Sequence, residues 1–288
     1  MNVSPRDSGS ARFRFRKVGG RWRRSNTHRL DFGVEALEQR SLLNGSLDLS
    51  FGRPDLPGRA TATLAGLAEV ADLAIQPDGG IVLVGTVSQD HNNDFAVVRF
   101  GPDGQLDPSF GSLGVVVIPF DLVSQGIGND RAHAVAVQPD GKIVVVGQVE
   151  RFGGQRDFGV ARLHSNGQLD TDFGESGRLV VAFDRGLILP DQDDIARAVT
   201  MQPEGRILVA GQVDNIGDQN DFGIIRLDIN GTLDATFGLN GRLVVAFDLG
   251  SDLADQDDAA TAIAIQPDGR VLVGGSVDTA DRHRDFGV

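Results

Sequence analysis

The chain repeats itself. LDxxFG occurs four times, at Leu47–Gly52, Leu106–Gly111, Leu169–Gly174 and Leu233–Gly238. Between the copies, QPDG or QPEG recurs at Gln76, Gln138, Gln202 and Gln266, and an Asp-Phe pair at Asp94, Asp157, Asp221 and Asp285. These anchors step by about 63 residues. A fixed period of that length marks a repeat architecture and constrains the fold more than any composition figure. Four copies of a residue point to four copies of one structural job.

One repeat contains four strand signals. Residues 178–184 (RLVVAFD), 196–202 (ARAVTMQ), 206–213 (RILVAGQV) and 221–227 (DFGIIRL) are short, β-rich and bounded by turn chemistry. In the QPDG element, proline presets φ, Asp tolerates the next turn position and Gly accepts positive φ, so the second and third strands form a hairpin. Strand two alternates. Ala260, Ala262 and Ala264 point one way, and Thr261, Ile263 and Ile265 the other. A sheet with a small apolar face and a large one is sandwiched between neighbours, as propeller blades are. A β-sandwich would show a polar side on each sheet. Gly85, Gly147, Gly211 and Gly275 recur nine residues after each Gln, which suggests close backbone approach or a bulge.

The linked pattern QPDG–(I/V)xVxG–DFxxxRL–LDxxFG resembles the bacterial delta-60 repeat over residues 47–288. The resemblance implies an all-β fold, a β-propeller of ~60-residue four-stranded repeats. It brings no established activity and no catalytic residues. The expected organisation is a basic arm, residues 1–46, followed by a propeller, residues 47–288. That propeller has three complete blades and a truncated fourth, whose open edge would drive self-association.

The arm carries 10 Lys+Arg against 4 Asp+Glu, whereas residues 47–288 carry 17 against 36. An acidic body argues against a nucleic-acid partner. No apolar run is long enough to cross a bilayer, so no transmembrane segment is expected. Within the arm, Val34–Leu43 resembles the LEPR-XLL element of large exported bacterial proteins. Leu37, Glu38, Arg40, Leu42 and Leu43 match it, and Gln39 stands where proline is usual. That resemblance implies an extracellular or cell-surface destination; a disordered basic tail is the alternative.

Function is expected on the loops that vary between repeats. Cysteine is absent, which excludes thiolate chemistry. The five His form no repeated set and no metal quartet or nucleophile–His–acid arrangement. A calcium site would draw on Asp191, Asp193, Asp194, Asp255, Asp257 and Asp258, but their spacing matches no calcium loop, and a solvated acidic rim is the preferred reading. No other cofactor is expected. The Asp of LDxxFG suits a turn-fixing bond, and the Asp94 row suits backbone or the repeat's Arg. The leading expectation is a non-catalytic, exported or surface-associated propeller that binds protein or glycan. The alternatives are a propeller hydrolase or lyase with a central-channel site, and a structural spacer within a larger exoprotein.

Overall fold

The computed structural model describes residues 46–90, 92–122, 128–151, 153–183, 193–215, 219–247, 257–278 and 284–288. The arm, with its LEPR-XLL-like stretch Val34–Leu43, lies outside the described residues, as do Asp191, Asp255, His91 and His283.

Fifteen strands are found in the described residues, in four antiparallel sheets. Blade 1 contains β1 (Leu67–Ile75), β2 (Ile81–Gln89), β3 (Asn92–Phe100) and β4 (Val115–Ile118). Blade 2 contains β5 (Arg131–Val137), β6 (Ile143–Glu150), β7 (Arg156–Leu163) and β8 (Arg178–Val181). Blade 3 contains β9 (Ile195–Met201), β10 (Ile207–Asn215), β11 (Gln219–Leu227) and β12 (Arg242–Val245). Blade 4 contains β13 (Ala259–Ile265), β14 (Val271–Asp278) and β15 (Arg284–Gly287).

The sheets are out of phase with the sequence repeat. Strand 178–181 does not join 196–227; it pairs with β7, Phe158 opposite Val181, and closes the preceding blade. A short strand fits either sheet, and only its hydrogen-bond partner decides. The expected grouping of four strands within one repeat is therefore corrected by one strand. The open edge is also displaced, because β15 already covers the Gly275–Asp278 half of β14.

The QPDG turns form as expected. The Gly79 N–H donates to the Gln76 carbonyl (2.9 Å) and Gly79 has a φ of 83°. These turns lie at one end of every blade, the lower rim, together with the LDxxFG connections of blades 1–3, while the loops that vary lie at the upper rim.

The strand glycines mark β-bulges. Gly85, Gly147, Gly211 and Gly275 face Val70, Ala132, Ala196 and Ala260, and the pairing then skips Ala71, His133, Arg197 and Thr261. A Cβ on any of the four would lie 1.8–2.0 Å from the carbonyl oxygen of Glu69, Arg131, Ile195 or Ala259. Only glycine lets the bulged backbone approach so closely. The extra residue also breaks the alternation expected for strand two. It turns Ala132, Ala196 and Ala260 to the same face as the large residues that follow.

Each blade has a leading face toward the blade before it and a trailing face toward the next. Val82, Val84, Phe95 and Val97 on the trailing face of blade 1 pack on Ile143, Val145 and Leu163 of blade 2. Val144, Val146, Phe158 and Val160 pack in the same way on Ile207, Val209 and Leu227 of blade 3. Leu208, Phe222 and Ile224 then meet Ile263, Val271 and Val273 of blade 4. Each trailing-face Phe stacks edge-on against the Phe that follows its outer strand: Phe95–Phe120 at 5.0 Å, Phe158–Phe183 at 5.2 Å and Phe222–Phe247 at 4.9 Å.

Candidate functional site

Three rows of repeated positions occupy known places in the blades, and what each touches decides what remains for binding.

The first row is a lower-rim clasp. Arg99, Arg162 and Arg226 end their strands and bind the LDxxFG carboxylates of Asp107, Asp170 and Asp234; the last two bonds are 2.8 and 2.9 Å long. Arg162 also donates to the Ile229 carbonyl of the next blade and lies 4.5 Å from the Phe173 ring centroid. The same carboxylates accept the N–H of Ser109, Asp172 and Thr236, the turn-fixing bond expected of them. The Ser109 bonds lead in holding the Asp107 carboxyl below its ordinary range. Burial pushes the Asp170 carboxyl up, but Lys142 and Arg162 outweigh it and hold it low. The Arg does not serve the Asp94 row, because Asp94 and Arg99 sit at opposite ends of β3, ~16 Å apart at strand rise. Asp94 instead accepts from Asn92 (3.0 Å), and Asp157 from Arg151 (2.9 Å). Gln76 Nε2 donates to the Gly141 carbonyl of blade 2 (3.1 Å), so the first residue of QPDG also joins blades.

The second row departs from the solvated acidic rim expected for Asp194 and Asp258. Asp130, Asp194 and Asp258 are buried, and each accepts two backbone N–H groups at the upper rim. The donors to Asp130 are Phe120 (3.3 Å) and Glu150 (2.9 Å), those to Asp194 are Phe183 (2.7 Å) and Asp214 (3.2 Å), and those to Asp258 are Phe247 (3.1 Å) and Asp278 (3.0 Å). Each carboxylate thus ties the end of one blade's outer strand to the next blade's second strand. Of the other calcium candidates, Asp193 pairs with Arg156 (2.8 Å) and Asp257 accepts from Asn220 (2.9 Å). Among the described residues, no group of three or more His, Asp or Glu is placed to hold a metal. The even 64-residue spacing of this row was the signal available in the sequence.

The third row is the bulge residues: Ala71, His133, Arg197 and Thr261. The fold repeats this position four times, yet the chemistry differs each time. These residues sit on the innermost strands, near the upper rim. His133 and Arg197 are half-buried on adjacent blades. His133 Nε2 is 3.4 Å from Gln148 Oε1, and Arg197 donates to Gln212 Oε1 at 2.6 and 3.2 Å. Burial leads in pushing the His133 imidazole down, and the Arg197 charge adds to the effect. Burial likewise lowers Arg197. A pocket of about 140 Å³ opens beside His133, lined also by Glu69, Thr86 and Arg131. In the sequence His133 is one of five His that form no repeated set. Its place in the row, level with Arg197 and opposite a glycine, is what marks it.

The blade geometry, with packed four-stranded antiparallel sheets, defines a β-propeller repeat protein. Residues 76–110, 138–173 and 202–237 match a family model described as "Domain of unknown function (DUF5122) beta-propeller", known as the delta-60 repeat family. No match is found among curated proteins. Among solved structures, the Hadza microbial sialidase Hz136 aligns over 76% of this chain and 45% of its own, at 13% identity and a TM-score of 0.47. A hypothetical protein from Leishmania major aligns over 75% and 64%, at 14% identity and a TM-score of 0.38. The chain thus spans less than two thirds of the length of these two. The α-L-arabinanase of Cellvibrio cellulosa, complexed with arabinohexaose, aligns over 75% and 70%, at 12% identity and a TM-score of 0.40. At these values the likeness carries no statement about activity.

Proposed function

We propose that the chain is a non-catalytic, exported or surface-associated binding propeller, and that it holds a glycan at the inner upper mouth. The observation behind this reading is the contrast between rows. The Arg and Asp residues repeated without change are engaged in tying turns and blades together, whereas the bulge position places His133 and Arg197 side by side where no packing job demands them. Imidazole, guanidinium and amide groups held by one another on a rigid strand offer the directional donors and acceptors that sugar hydroxyls need. Variable side chains on an invariant scaffold are the usual form of such a site.

A glycan array tests the reading, with the full chain compared against His133→Ala and Arg197→Ala. Binding that both variants abolish is expected. Silence across the array would overturn it in favour of a structural spacer. Cleaved sugars recovered from the array would overturn the non-catalytic part.

A further inference from the structure

One cation of the bulge row is left uncompensated. Arg197 is half-buried and forms no ion pair among the described residues, although residues 47–288 carry 36 Asp+Glu against 17 Lys+Arg. Its Nε and one terminal nitrogen both donate to Gln212 Oε1, at 3.2 and 2.6 Å. Gln212 is held in turn by Asn220 Oδ1 at 3.5 Å, and Asn220 donates to Asp257 at 2.9 Å. One edge of the guanidinium is thereby fixed. The opposite edge, with the remaining N–H groups, has no acceptor among the described residues. Burial disfavours a charge that nothing offsets, and buried charges are ordinarily paired.

The neighbouring groups carry the same sign. On blade 2 the Arg131 side chain bonds Asn129 Oδ1 (3.1 Å), and the exposed Glu69 carboxylate stands 3.8 Å away, too far for a hydrogen bond. Arg131 also lines the pocket of about 140 Å³ beside His133. His133 feels both arginines: burial leads in lowering its imidazole, Arg197 and Arg131 add to the effect, and Gln148 and Glu69 oppose it. Two guanidinium groups and an imidazole therefore converge on the inner strands of blades 2 and 3, near the upper rim. Sugar hydroxyls alone need no such charge, since neutral amides bond them as well. A guanidinium fixed by one edge presents a planar fork at the other, the partner of a carboxylate.

We propose, on the reading that this site holds a glycan, that the glycan is acidic: a uronic-acid carboxylate docks bidentately on the free edge of Arg197, flanked by His133 and Arg131. Gln212 is a positioning residue, which aims the fork without touching the ligand.

Isothermal titration calorimetry of the full chain tests this with paired probes. These are oligomers of galacturonate, glucuronate and mannuronate, each beside the same oligomer with its carboxyls reduced to neutral alcohols. The parent should bind at least one uronate, and the reduced partner at least about tenfold more weakly, as expected for loss of a charge-assisted bond. Arg197→Gln should erase that preference. Arg197→Lys should restore only part of it, because an ammonium keeps the charge without the fork. Both variants should melt with the parent. Equal binding of a uronate and its reduced partner would overturn the acidic ligand and leave the glycan reading standing. Silence toward every uronate, with a neutral glycan bound on the array, would do the same; silence toward every sugar would sink both. Full preference retained by Arg197→Gln would overturn the docking on Arg197. A sulfated sugar bound in preference to every uronate would overturn the carboxylate.

Discussion

The lower-rim clasp and the inner bulge row are both repeated, but they are repeated differently. In the clasp, residue type and position recur together: Arg99, Arg162 and Arg226 bind Asp107, Asp170 and Asp234. In the bulge row only the backbone recurs, and the side chains are Ala71, His133, Arg197 and Thr261. Side chains that cannot change hold the blade; those that change on a fixed backbone are available to a ligand. The division makes quantitative claims, and each can be pushed until it fails.

The largest effect belongs to the glycine that makes the bulge possible. Gly147→Val places its Cβ 1.9 Å from the Arg131 carbonyl oxygen, with no flexible neighbour to give way. It should cost about 4 kcal/mol or more, read as a lowered denaturant midpoint or insoluble expression. A near-normal midpoint would show that the bulge can slide out of register.

The clasp comes next. Arg162→Ala leaves Asp170 buried with one ion-pair partner fewer and removes the bond to Ile229, and should cost about 3–5 kcal/mol. If His133→Ala or Arg197→Ala cost as much, the two rows would not differ and the assignment of ligand work to the bulge row would collapse. Those two should instead lower stability by less than about 1 kcal/mol, since His133 loses one half-buried hydrogen bond and Arg197 two bonds to a single acceptor oxygen.

The upper-rim aspartates add a pH test. Burial pushes the Asp130 carboxyl up to about 6 from 3.8, against the pull of the Glu150 and Phe120 N–H groups, and Asp94 and Asp121 add repulsion. A carboxyl raised on folding holds its proton more tightly in the folded state. Its contribution therefore grows as pH falls from above 6 toward 4, and is lost as pH rises through 6. The lowered carboxyls of Asp107 and Asp170 act oppositely, and their contribution is lost only below about pH 4. Melting temperature should rise between pH 7 and pH 5 and then fall. Asp130→Asn should flatten the rise and cost about 1–3 kcal/mol at pH 7, because one N–H loses its acceptor. The smallest effect is calcium's: with Asp194 and Asp258 bonded to backbone and Asp193 to Arg156, millimolar calcium should leave the melting curve unmoved.

Much of the fold was legible in the residues, and the failures have physical causes. Pro-Asp-Gly encodes its turn locally, so the hairpins and the lower rim could be read directly. The partner of strand 178–181 is not encoded locally. RLVV suits either sheet, and the choice shows only in its pairing with β7. The glycine row allowed two readings, close approach or bulge, and it is both. The extra residue it admits undid the alternation inferred for strand two. Asp194 and Asp258 resembled metal ligands because acidic neighbours surround them; their burial against N–H groups lies in the tertiary structure alone. His133 carried no signal by itself. It gains meaning only when four strands are superimposed.

The one-strand offset between sheet and sequence repeat bears on how such chains change length. Each of blades 1–3 is finished by a strand that belongs, in the gene's reading order, to the next unit. A duplication or deletion of one ~60-residue period, started at any point in the period, therefore leaves no half-made sheet inside the array. It also leaves each blade covalently laced to its successor. Copy number can drift by whole units while every seam keeps the same chemistry, and blade count becomes something inherited by counting rather than by redesign.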